Sequence, residues 1–160
     1  MGKGVPGKKK TYQKKNYESD CSSSDTSANI YHSMLMSEAW NKLSSKQRVL
    51  YLVCKDRLYA QKTKYSPDPN DQTKFYLNRA LWLKDYELYP PSNEAGFYKD
   101  MGALIEYGFI KCIESGATSR TKNIYQYSDK WKLFGTPYFK IMPNEMSGYL
   151  LNRKKKENKS

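Results

Sequence analysis

The chain has a single histidine, His32, and three cysteines, Cys21, Cys54 and Cys112, in 160 residues. His32 has no catalytic or metal-binding partner within reach in the sequence. The cysteines are odd in number and lack metal-type spacing, which argues against a disulfide framework and against a Cys/His metal centre. No apolar run reaches membrane length and no secretory h-region is visible, so the expected setting is a soluble, reduced cytoplasm without a membrane partner. The stretch Gly2–Lys8 matches the first part of a phosphate-binding loop, but Lys9 stands where Ser or Thr is needed and no strand precedes it. The Met1-Gly2 start lacks the Ser or Thr at position six that myristoylation requires, because that residue is Pro6. No nucleophile–base pair, paired carboxylates or Gly-rich cofactor loop is found. The expectation is therefore no enzyme and no cofactor.

Negative charge is also scarce. Sixteen Asp and Glu stand against 28 Lys and Arg, a net charge of +12. Residues 1–30 hold six lysines against Glu18, Asp20 and Asp25, a local charge of +3. Residues 151–160 hold Arg153, Lys154, Lys155, Lys156 and Lys159 against Glu157, or +4. More than half of the excess thus lies in two ends that read as disordered basic tails, because few apolar residues are there to offset ordering. Such tails favour an anionic partner through salt-sensitive phosphate contacts. The length suits one domain with a real core. The expected organisation is a basic tail to residue 30, a domain over 31–134, an arm over 135–150 and a second basic tail over 151–160.

Ser33 or Ser37 is placed to cap a short first helix running to Leu43, with Leu35, Ala39, Trp40 and Leu43 inward. Ser44 followed by Gln47 forms a capping box that opens a helix from Ser45 to about Gln61. Its apolar positions are Val49, Leu50, Leu52, Val53, Leu58 and Ala60; Lys46, Arg48, Lys55, Asp56 and Arg57 mark a polar face. Residues 62–72, with Pro67 and Pro69, read as a loop. Thr73–Leu77 is a short strand with Phe75 and Leu77 on one side. Asn78 caps an expected helix from Arg79 to about Leu88, which Pro90-Pro91 ends.

The stretch 93–127 organises the rest. Asn93 to Tyr107 is an amphipathic helix with Phe97, Met101, Leu104 and Ile105 on one face, and Gly108 ends it as a left-handed residue. Phe109–Ile113 and Asn123–Tyr127 are strands around a small basic loop. Helix, glycine, strand, basic hairpin and strand is the order of a winged helix-turn-helix, in which the helix enters a groove and the hairpin touches nearby backbone. The expected fold is α+β, mostly helical with a small antiparallel sheet. The outward positions of the helix are Glu94, Ala95, Tyr98, Lys99, Gly102 and Glu106. Candidate DNA contacts are Asn93, for adenine pairing, with Tyr98 and Lys99 on the helix. Lys111, Ser119, Arg120, Thr121, Lys122 and Asn123 follow on the hairpin, where an Arg suits a narrow minor groove. Lys46 and Arg48, with Lys62 and Lys64, complete the basic set. Gly96 and Gly102 weaken the helix, which suits accommodation of a neighbouring helix or close approach of another surface. The helix is net acidic, with Glu94, Asp100 and Glu106 against Lys99, which counts against groove entry. Fifteen Tyr and three Trp invite base stacking on single strands, but Trp40, Trp82 and Trp131 sit among apolar residues and read better as core.

The segments SEAWNKLSSKQRVLYL, FYKDMGALIEYGFIKCIESG and KNIYQYSDKW resemble winged-helix DNA-binding proteins of Gram-positive plasmids, phages and conjugative transposons. These include the N-terminal domains of replication initiators and conjugative-transfer accessory proteins of the TraN type. The resemblance spans residues 31–134 and rests mostly on core and strand positions. It implies duplex DNA binding near an origin of transfer or replication; the expected state is a monomer or homodimer. For the TraN type it also implies helix-turn-helix units at both ends of the sheet, here residues 37–60 and 79–107. The chain lacks the second, primosome-interacting domain of a full initiator, so an accessory or regulatory role is expected. One alternative is a protein–protein adaptor for a relaxase or replisome component, using the acidic helix and the 135–150 arm. The other is an RNA-binding protein.

Overall fold

The computed structural model describes residues 28–60, 70–71, 73–77, 86–116 and 122–159, the side chains of 58–60 excepted. The expected N-terminal tail up to residue 27, most of the 62–72 loop, the start of the 79–88 helix and the hairpin tip at 117–121 lie outside them.

Two short helices, α1 (His32–Leu35) and α2 (Glu38–Lys42), lead into the long α3 (Ser45–Ala60). Ser37 separates the first two. Its hydroxyl accepts the Trp40 amide and donates to the Met34 carbonyl, closing one helix and opening the next. Met34 is buried and Leu35 is exposed, the reverse of the expected facing at Leu35. The Ser44–Gln47 box forms in both directions, at 2.9 and 3.3 Å. The packed face of α3 carries Leu50, Tyr51, Val53 and Cys54, while Val49 and Leu52 are exposed. Of the expected apolar set, Leu50 and Val53 face inward and Val49 and Leu52 outward; the side chains of Leu58 and Ala60 lie outside the described residues. Tyr51 and Cys54 are three apart and outcompete the aliphatics because Tyr51 has aromatic partners inside. Lys55, expected on the polar face, is only 4% exposed, with its ammonium 4.7 Å from the centroid of the Tyr127 ring.

Strand β1 (Lys74–Phe75) follows, then α4 (Glu94–Glu106), β2 (Ile110–Glu114) and β3 (Ile124–Tyr127). The strands form an antiparallel sheet in the order β1–β3–β2. Phe75 and Leu77 are both buried, as the alternation predicts. The helix expected through Leu88 does not extend over its described end. Glu87 is left-handed (φ 48°), and Tyr86 and Tyr89 on either side donate to carboxylates of different helices, Asp56 and Asp100, each at 2.7 Å.

Helix α4 begins and ends as its sequence dictates. The Asn93 side chain accepts the Gly96 amide at 3.1 Å. A side chain at Gly96 would place its Cβ 2.4 Å from that same Asn93 oxygen, so the glycine is what admits the cap. At the other end Gly108 (φ 80°) donates to the Ile105 carbonyl and Phe109 to that of Leu104, both at 2.9 Å. This is the paired-bond helix terminus that favours glycine. Gly108 also accepts the Trp131 amide at 3.1 Å, and a Cβ there would come within 2.7 Å of that nitrogen.

The core is aromatic at its centre. Phe109 lies 5.1 Å from Tyr51, 5.9 Å from Trp40 and 6.2 Å from Trp131, centroid to centroid. Trp131 is carried by a 3-10 turn, Lys130–Leu133, whose Leu133 points outward rather than covering the core. The following arm is packed for much of its length. Phe139 meets Phe134 edge-on at 5.1 Å, and Ile141 and Met146 lie against the core, while Tyr138 and Met142 are exposed. Lys130 straps the arm down. Its ammonium reaches both oxygens of Glu145 (2.7 and 2.6 Å) and the Lys140 carbonyl (3.0 Å).

That strap predicts a pH dependence. Burial disfavours the Glu145 carboxylate, but hydrogen bonds from Lys130 and the Met142 amide outweigh it and hold its pKa below the ordinary 4.5. A depressed folded-state pKa adds stability that is complete above the unfolded value and lost as pH falls through the folded one. The urea-midpoint difference between wild type and Glu145→Gln should hold steady from pH 7 to about 5.5 and shrink as pH falls below that ordinary value. A difference that stays constant down to pH 3 would refute the strap.

The last element corrects the expected basic tail. Residues Gly148–Glu157 form helix α5, capped by Ser147, whose hydroxyl accepts the Leu150 amide. Leu150 is fully buried and sits over Gly102 of α4. One buried leucine, a cap and an ion pair anchor this helix; a count of its lysines does not reveal them.

Candidate nucleic-acid interface

Helix α5 covers much of the α4 face that was expected to look outward. Tyr98 stacks on Tyr149 at 6.3 Å. Gly102 is buried, with Leu150 in ordinary van der Waals contact with the position a Cβ would take. Glu106 receives Arg153 at 2.5 Å and Lys154 at 3.3 Å. Ala95 and Lys99 alone of the six expected positions are exposed; Glu94 is half-buried. The close approach implied by Gly102 is thus another helix of the same chain.

The same contacts account for the acidity of α4. Asp100 accepts the Gln47 amide at 2.9 Å and the Tyr89 hydroxyl at 2.7 Å. Glu106 is neutralised by α5. Two of the three carboxylates therefore serve internal contacts, and the outer face of α4 is far less acidic than its composition. The Asp100 bond and burial both push the Tyr89 hydroxyl above the ordinary tyrosine range, burial being the larger cause.

The individual candidates separate. Asn93 commits its side-chain oxygen to the cap. Asn123 accepts the Gly116 amide at 2.8 Å and donates to the Tyr125 hydroxyl at 2.9 Å, closing the base of the hairpin. Both asparagines have structural work of their own. Lys122 is exposed, with its ammonium 3.6 Å from the centroid of the Tyr76 ring. Ser119, Arg120 and Thr121 lie outside the described residues, as do Lys62 and Lys64. Lys46 sits 4.1 Å over Tyr89 at the start of α3. Arg48 donates to the Trp40 carbonyl at 3.2 Å, with its guanidinium 5.8 Å from the Trp40 ring centroid. Lys111 pairs across the sheet with Gln126, at the end of the hairpin remote from its turn, and does not join the others.

What the charge count placed in a tail is an ordered basic surface. Asn152, Lys155, Lys156 and Lys159 are exposed on and just beyond α5. The first turn of α5 is tied to the hairpin by the Gly148 amide, which donates to the Ser115 hydroxyl at 3.2 Å. The start of α5 therefore touches both the base of the hairpin and α4, while Lys155, Lys156 and Lys159 lie toward its other end, beyond the Glu106 contact. Ser147 three residues before Leu150 is the sequence signal for this helix.

Among the described residues no group of three His, Cys, Asp or Glu could hold a metal ion. No described helix is long and apolar enough to cross a membrane. Burial pushes the Cys112 thiol up to about 11 and the Cys54 thiol higher still, as expected of thiols that serve as packing. Searches with protein-family models, curated proteins and solved structures find no match to the chain.

Proposed function

We propose that this chain is a non-enzymatic duplex-DNA-binding protein of winged-helix type, an accessory or regulatory factor for the transfer, replication or transcription of a mobile element. The element order supports the type: α3, β1, α4, β2, basic turn, β3, with β1 joined to β3. The observation that carries the reading is the junction of three potential contact elements, the hairpin and α5 at Ser115–Gly148 and α5 and α4 at Gly102–Leu150. Lys99, Arg120, Lys122 and the α5 lysines supply the phosphate contacts. The mobile-element role rests on the resemblance of residues 31–134 alone.

A fluorescence-anisotropy titration against duplex DNA over a salt series tests this. The log–log salt slope should flatten by about 0.9 for each phosphate contact removed. Arg120→Ala with Lys122→Ala should therefore flatten it by roughly 1.8, and the triple change Lys155→Ala, Lys156→Ala, Lys159→Ala by up to about 2.7. Unchanged slopes in both folded variants would end the DNA reading. The exposed Tyr138 (81%) and Met142 (51%) on the arm favour the adaptor as second reading, with a relaxase or replisome protein as partner. Its support from an acidic α4 is weakened now that Asp100 and Glu106 are engaged.

A further inference from the structure

Helix α4 stands where a groove-reading helix would, yet little of it is open. Every residue from Met101 to Ile105 is buried, and Glu106 and Tyr107 are half-buried. The core takes Phe97, Met101, Leu104 and Ile105, and α5 takes the next face round. Tyr98, Gly102 and Glu106 recur every four residues and so form one stripe. They meet Tyr149, Leu150 and the neighbours Arg153 and Lys154, in that order. The two helices therefore run side by side in the same direction over about 12 Å, more than two turns. On the other flank of α4, Asp100 is held by Gln47 and Tyr89.

Width decides what such an assembly can enter. One helix with its side chains is about 10–12 Å across, and the major groove is about 12 Å wide. Packed helices have axes about 8–10 Å apart, so α4 with α5 alongside measures roughly 18–22 Å. A groove that admits one helix excludes the pair. The strip of α4 left open carries Ala95 and Lys99. Asn93 and Asn123, whose amides could read a base, bond instead to Gly96, and to Gly116 and Tyr125. Lys99 is a compact charge on a flexible stem, which suits a phosphate.

We infer that α4 stays out of the major groove and that the chain holds duplex DNA by its phosphates, without choice of sequence. This rests on the DNA-binding function proposed above and names its substrate: any duplex, not a particular site. Lys99, Lys122, Lys155 and Lys159, all exposed, supply contacts of this kind.

Anisotropy titrations of the full chain with duplexes of equal length and unrelated sequence, at one salt concentration, test it. Affinities should agree within about five-fold, because one correctly read base pair alone contributes that much or more. Duplexes recovered from a random pool by repeated selection should stay within the same range of their shuffled copies. Glucosylated hydroxymethylcytosine fills the major groove without adding charge, and a duplex carrying it should bind like the plain one. Lys99→Gln, its fold checked by circular dichroism, should weaken every duplex alike and flatten the log–log salt slope by about 0.9. A selected duplex more than about five-fold tighter than its shuffled copy, a loss of that size on glucosylation, or a Lys99→Gln effect confined to some sequences would overturn the inference. Failure to bind any duplex at low salt would instead end the DNA reading itself, and the inference with it.

Discussion

Phe109→Ala is expected to lower the unfolding free energy by about 3–5 kcal/mol, the range for a large aromatic removed from a close-packed core. Phe109 is wholly buried and touches three rings that come from three separate elements: Trp40 of α2, Tyr51 of α3 and Trp131 of the 3-10 turn. Those neighbours are themselves large and set by hydrogen-bonded backbone, so they cannot collapse into the void. Favourable edge and stacked ring geometries add to the area lost. For a domain of ordinary stability, about 5–15 kcal/mol, this is a large fraction of the whole. Urea unfolding followed by far-ultraviolet dichroism measures it. Phe109→Leu, which keeps most of the volume, should cost less than about half as much. Equal losses for both variants, or a loss under about 1 kcal/mol for alanine, would mean that the ring cluster does not carry the fold.

Leu150→Ala has the next largest expected effect, about 2–5 kcal/mol by the same comparison. Its interest lies in the combination of readouts. Leu150 is the buried anchor of α5, and other contacts of that helix on α4 include the Tyr98–Tyr149 stack and the half-exposed pairs of Glu106 with Arg153 and Lys154. Partly solvated ion pairs contribute about 0–1 kcal/mol, too little to hold the helix alone. Hydrogen exchange should therefore rise across residues 148–157 first, and duplex affinity should fall with it as the lysines lose fixed placement. Lys155→Ala gives the contrast: weaker binding with unchanged stability. If Leu150→Ala weakens the fold while leaving affinity intact, α5 is a structural brace and not a contact element.

Local signals in the sequence were strong wherever one residue had one job. Ser44 with Gln47, Gly108 and the alternation around Phe75 each placed an element end or a facing correctly, because capping, positive φ and pleat leave few alternatives. Choices between similar faces were weaker. On α3, Val49 and Leu52 fit a helical stripe as well as Tyr51 and Cys54 do, and only the distant Phe109 decides between them. Lys55 could not be placed inside without Tyr127, which lies far along the chain. α5 was hidden by its own lysines. The candidate site was less legible still. Asn93 and Asn123 have the groups that read bases, but those same groups satisfy backbone amides, and a sequence does not say which use prevails. Lys111 shared a strand with the hairpin residues, yet it lies at the end of the hairpin remote from its turn.

The sheet order also governs how the chain comes together. β1 has one neighbour, β3, and pairs Lys74 with Gln126 and Phe75 with Tyr125. During synthesis, α3 and β1 leave the ribosome well before either strand of the hairpin exists. Until β3 is made, Phe75 lacks the Tyr125 ring that packs beside it and β1 lacks its ladder. The first half of the protein is thus an obligate intermediate with a bare strand and an uncovered helix face, the features that favour wrong association. The adjacent β2–β3 hairpin closes quickly, whereas docking β1 waits on a long-range encounter, the slower kind of step. A chain interrupted between α4 and β3 will therefore be prone to self-association, whatever the finished domain binds.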